Sequence, residues 1–198
     1  MNTKTLLFAL VSIIYQQIAF AENSSITSYK YPFKNDTIVK MRLADICDPD
    51  KVKKKIITSG IPSTGPQYEM MVNMMSSQCV KAKENKINDS VSYIIKGKPV
   101  HEVFDNKISS EVSLFEIMLR EYNSPESLDV AWKMTTKQSN VNKSNNDYIL
   151  INGAYNSAVA YMRKNNIFIQ ADLMLTKGNT VGELNGFMQK YSTWLKEK

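Results

Sequence analysis

Two carboxylates, Glu116 and Asp172, sit in local settings that could support acid–base chemistry. Glycan hydrolysis needs only a pair of such groups and no histidine. One of them must be held protonated by an apolar environment. Glu116 lies between Phe115 and Ile117, and Asp172 lies in the stretch "IFIQADLML". In linear sequence, both are read as solvated: Glu116 on the polar arc of a helix beside Arg120, and Asp172 on the polar side of a strand. Glu102 is a third carboxylate, beside His101, the only histidine of the chain. "VHEVFD" opens like the H-E-x-x-H zinc motif but has no second histidine. His101 is read as a surface or turn residue. No G-x-S-x-G elbow, C-x-x-C pair or glycine-rich phosphate loop is present, so no catalytic set is assigned.

Soft-metal chemistry is the next alternative. "YEMMVNMMSSQC", residues 68 to 79, holds four methionines and one cysteine. At 100° per residue, Tyr68, Met71, Val72, Met75 and Cys79 share a face, as in an amphipathic helix with methionine as adaptable core filler. Met70 and Met74 fall together on the neighbouring flank. They form a candidate contact patch, or a weak thioether site for Cu(I). No resident cofactor or metal is expected. The run "KVKKK", Lys51 to Lys55, lacks adjacent arginines or stacking aromatics, so it reads as a solvated helix face and not as a nucleic-acid reader.

Cys47 and Cys79 are the only cysteines. The N-terminus reads as a secretory leader: Lys4, the apolar "LLFALVSIIYQQIAFA", and the cleavage site Ala19-Phe20-Ala21. Cleavage after Ala21 leaves residues 22–198 as a single domain, with no further stretch long and apolar enough to span a membrane. Export to an oxidising compartment makes a Cys47–Cys79 disulfide the expected state of the two sulfurs. The formal net charge is +6 over 198 residues, mildly basic and short of a polycation.

The elements follow from punctuation and period. Residues 22–35 read as an arm laid on the domain. Asp36 or Thr37 is expected to cap a helix carrying Ile38, Met41, Ile46 and Cys47, and Asp48-Pro49 to start another. "SVSYII" reads as a strand, with a turn at Lys96 to Pro99. "SSEVSLFEIMLREY" reads as a helix, with Val112, Leu114, Phe115, Met118, Leu119 and Tyr122 on its apolar arc. Ser124-Pro125 starts another helix, and residues 135–147 read as an exposed loop. "YILING" and "IFIQADLML" are strand-like, "SAVAYM" reads as a hairpin strand or a short helix, and Thr180 with Glu183 resembles a capping box for a final helix.

The expected fold class is α+β: mainly helical, with a small antiparallel sheet in the C-terminal half and one disulfide. The expected function is that of a periplasmic or secreted, non-catalytic protein-binding factor. An inhibitor or immunity-type protein would fit, as would an accessory factor of a secretion or surface-assembly system. Its expected partner is another envelope or secreted protein. The alternative is a carboxylate-dependent hydrolase of the cell envelope.

Overall fold

A computed structural model of the chain describes residues 26–34, 36–40, 42–95, 104, 112–137, 141–144 (backbone only) and 147–198. The leader with its Ala21 site, the Lys96 to Pro99 turn, His101 and Glu102 lie outside the described residues.

Seven strands form one antiparallel sheet: β1 (Thr37–Val39), β2 (Ile87–Ile95), β3 (Val112–Tyr122), β4 (Val141–Ser144), β5 (Tyr148–Asn152), β6 (Ser157–Lys164) and β7 (Ile167–Leu175). Their spatial order is β1-β2-β3-β7-β6-β5-β4. Five helices accompany them among the described residues: α1 (Leu43–Ile46), α2 (Pro49–Thr58), α3 (Pro66–Glu84), α4 (Pro125–Thr136) and α5 (Thr180–Lys196), after a 3-10 turn at Ile26–Tyr29.

This corrects the expected fold class. The sheet is neither small nor confined to the C-terminal half, since β1, β2 and β3 make up one side of it. Helix does not dominate. The main reversal is at residues 112–122, which form a central strand between β2 and β7. A strand covered on both faces buries neighbours of both parities, and so loses the clean alternation of a half-exposed one. In β3, Phe115, Ile117 and Leu119 are buried on one face, while Glu116 is buried on the other. Leu114 and Met118, lying between them, give the sequence a spacing that mimics a helical arc. Residues 37–39, expected to open a helix, instead pair with Tyr93, Ile94 and Ile95 as the edge strand.

The principal core lies between one sheet face and α5. Leu184, Phe187, Met188, Tyr191 and Leu195 point into it from the helix, at the expected spacing. Ile167, Ile169, Ala171, Leu173 and Leu175, alternate residues of β7 that share one face, meet them from the sheet. The N-terminal arm completes this core. Tyr31 stacks edge-on to Phe187, Tyr191 and Trp194 at centroid distances of 5.4, 5.5 and 5.7 Å. The Tyr191 hydroxyl donates to the Tyr29 carbonyl, which ties the arm to the helix. Burial pushes the Tyr191 phenol far above its ordinary range, so it stays a neutral donor.

Local chemistry fixes the helix starts. The Asp48 carboxylate accepts from the Asp50 and Lys51 amides at 3.0 and 3.3 Å, with Pro49 behind it. The Ser124 hydroxyl accepts from the Ser127 amide, again ahead of a proline. At α5 the cap is Asn179, one residue before the expected Thr180, and it accepts from the Gly182 amide at 2.9 Å. The Thr180 hydroxyl donates instead to the Asn156 carbonyl, joining α5 to the β5–β6 turn. The β6–β7 hairpin turns at Asn165, whose φ of 54° suits asparagine's tolerance of left-handed backbone. "SAVAYM" is therefore a strand and not a helix. Within the stretch expected as a loop, Val141–Ser144 pair with β5 as the far edge of the sheet.

Candidate functional site, a groove between stapled helices and the sheet

The second sheet face is covered only in part. At one end of it, Phe168 and Tyr122 pack against Leu128 of α4, with Trp132 edge-on to Phe168. At the β1 side, α1, α2 and α3 stand over the strands. Cys47, just after α1, is bonded to Cys79 of α3, with a Cα–Cα distance of 5.3 Å. The bond pins α3 to the short helix before α2, and these helices form one wall.

That wall is incompletely buried. The face of α3 carrying Tyr68, Met71, Val72, Met75 and Cys79 has the spacing of an amphipathic helix, yet only Cys79 and Ala82 of the helix are buried. A helix whose apolar face is left half-covered offers that face to something else. Between α3 and the strands runs a groove of about 700 Å³. Met74 and Met75 line it from the helix, Ile38 and Val39 from the edge strand, and Met118 from the floor. Ile38, Val39 and Met74 are 46%, 53% and 46% exposed, large values for apolar side chains grouped at one site.

The two candidate methionines separate here. Met74 lines the groove, while Met70 is 62% exposed and lies outside the lining.

Glu116 is at the groove floor and is only 7% exposed. The Lys40 ammonium donates to both of its oxygens, at 2.8 and 2.7 Å, and the Ser92 hydroxyl donates to one of them. Burying a carboxylate is costly unless it is paired and hydrogen-bonded, and here both conditions hold. The expected solvated Glu116–Arg120 pair along a helix does not exist. On a strand, residues four apart share a face but lie about 13 Å apart along the chain, and the Arg120 guanidinium instead sits over the Phe168 ring at 5.8 Å.

Asp172 faces Glu116 directly across the β3–β7 ladder. Side chains so placed have Cβ atoms about 5 Å apart, and like charges there repel. Asp172 is half-buried, not solvated. Burial pushes its carboxyl above the ordinary range. Glu116 adds to this, while a 2.9 Å hydrogen bond from the Gln170 amide, together with Arg120 and Lys40, opposes it. The sheet therefore does bring together the two carboxylates singled out in the sequence. Glu116 lines the groove, and Asp172 does not.

The raised Asp172 value has a definite consequence for stability. The folded state holds its proton more tightly than the unfolded chain does, so this group's contribution falls as pH rises from the ordinary carboxylate range through the folded value. Above that value the penalty is fully present. Asp172→Asn should therefore stabilise the protein at neutral pH, by up to about 1 kcal/mol, the scale of a like-charge pair on facing strands. The gain should shrink on acidification. Paired thermal melts of the two proteins across the acid range check both the sign and the trend.

Sequence reasoning passed over Lys40, Ser92 and Lys81, and read Lys55 and Arg120 as solvated. Lys40 and Glu116 are 76 residues apart, so no local spacing could signal their pairing. Lys55 belongs to the "KVKKK" run, which is exposed on α2 apart from the buried Val52, and its side chain reaches the groove rim.

No group of three or more His, Cys, Asp or Glu side chains able to hold a metal ion occurs among the described residues, and no described helix is long and apolar enough to cross a membrane. No family model matches the chain, and no characterised protein or solved structure is significantly similar to it.

Proposed function

We propose that this chain is an exported, non-catalytic protein-binding factor that engages its partner through the groove between the disulfide-stapled helices and the sheet. It would act as an inhibitor or immunity-type protein, or as an accessory to secretion or surface assembly. The observation that carries the reading is the cluster of exposed apolar side chains, Ile38, Val39 and Met74, around one concave, ordered surface. Grouped apolar exposure marks interaction sites, whereas scattered single residues do not. The disulfide agrees with an oxidising compartment.

Capture experiments test this. The mature chain should retain a protein from envelope or secreted fractions, and Met74→Glu or Ile38→Glu should abolish that retention. Met134→Glu, at an exposed methionine on α4, should leave it intact. Equal retention by all the variants would remove the groove from the account.

The second reading, a carboxylate-dependent hydrolase, is favoured by the facing Glu116 and Asp172, one ion-paired and the other with a raised pKa. It is opposed by the bonding of both Glu116 oxygens to Lys40 and by the position of Asp172 outside the groove lining. Under this reading Asp172→Asn destroys function. Under the binding reading it leaves capture unchanged.

A further inference from the structure

The charges of the groove do not cancel. Among the described residues its one lining carboxylate, Glu116, is neutralised by Lys40. Three other cations line the same groove: Lys55 and Lys81 on the helices and Arg120 on the floor. None of the ion pairs among the described residues uses any of them. Asp172 offsets Arg120 in part, but the site still combines an apolar lining with an excess of positive charge, which favours an anionic occupant and speeds its approach.

The same groove is bordered by the open edge of the sheet. β1 pairs with β2 on one side only and is the terminal strand of the order. Among the described residues no strand pairs with its far side, which leaves a template for an added strand. Nucleic acid fits poorly, because among the described residues no aromatic side chain lines the groove to stack a base. An anionic lipid would satisfy the cations and the methionines but could not use the strand edge.

Resting on the binding role proposed above, we infer that the occupant is an acidic, extended segment of the partner protein. It adds to β1, places alternate aliphatic side chains against Met74 and Ile38, and sets its carboxylates toward Lys55, Lys81 and Arg120.

The test uses the oxidised mature chain and two capped peptides, one alternating Glu with Val or Leu and one with Lys in place of Glu. Binding is followed by calorimetry or fluorescence anisotropy. The acidic peptide should bind, the lysine peptide should not, and added salt should weaken the complex. The Lys55→Glu/Lys81→Glu variant should lose at least about tenfold in affinity, as expected for removal of rim charges that steer a complex. N-methylation of alternate peptide amides should also abolish binding, an effect that charge alone would not produce. Equal binding of both peptides would overturn the acidic assignment, and indifference to N-methylation would overturn strand addition. Charge-sensitive binding to phosphatidylglycerol vesicles in place of the peptide would assign a lipid instead. Failure of both peptides, with groove-dependent capture of a protein intact, would defeat this inference alone. Loss of groove dependence in the capture experiment would defeat the reading beneath it.

Discussion

Replacing Cys47 and Cys79 together with alanine should lower the unfolding free energy by about 3–4 kcal/mol, the entropic worth of closing a loop of this size. The sequence separation is 32, and the loop so closed contains α2, its following turn and most of α3. The loss should be local before it is global. α3 buries only Cys79 and Ala82, so little besides the sulfur bond holds it to the rest of the fold. Amide exchange in α2 and α3 should accelerate well before that of β3, β7 or α5, whose core is separate. Because α3 is a groove wall, capture of the partner should fall by far more than the change in global stability would require. The oxidised protein treated with reductant should behave like the double variant. Chemical denaturation read by circular dichroism, with exchange followed by mass spectrometry, checks each part.

Phe187→Ala should cost about 3–5 kcal/mol, the range for emptying a buried phenylalanine site. Phe187 is fully buried at the junction of α5, β3 and the N-terminal arm. Its ring lies 5.0 Å from Phe115, 5.4 Å from Tyr31 and 5.5 Å from Tyr191. Truncation therefore removes edge-to-face contacts with β3 and the arm, and a tilted one within α5, and leaves a void that a sheet–helix interface closes poorly. The groove is on the opposite sheet face, so binding at temperatures well below the transition should be nearly unchanged. The two variants thus separate stability from function: one loosens the groove and the other loosens the core behind it. A thermal melt alongside an affinity measurement shows whether the separation holds.

What the sequence made legible was local. Asp48-Pro49 and Ser124-Pro125 announce helix starts because a side-chain oxygen and a proline act on amides within three residues. The strand at 167–175 and the helix at 180–196 each bury chiefly one face, so period marks their inward residues, Phe168 on the strand's other face excepted. Reading the N-terminus as a leader made a Cys47–Cys79 bond the expected state of the only two cysteines, and they are paired. What stayed hidden depended on neighbours distant in sequence. β3 is covered on both faces by elements that precede and follow it, and its apolar spacing then resembles a helix. Edge strand β1 is three residues long, too short for any period to register. The candidate site was legible only as fragments. The methionine stretch was visible as a helix face, but nothing in it revealed that the fold leaves this face half-covered. Glu116 and Asp172 stood out for their flanking residues. Their meeting across a ladder, and the capture of Glu116 by Lys40, are properties of the sheet alone.

Placing a photoreactive amino acid at position 74, in cells that make the full chain, tests most directly whether an outward-facing cleft and not a reactive centre carries the work. Irradiation should join the chain to one discrete protein, and the adduct should vanish when Cys47 and Cys79 are replaced. The same probe at position 134 should give none. No adduct at position 74, or the same adduct from both positions, would contradict the account.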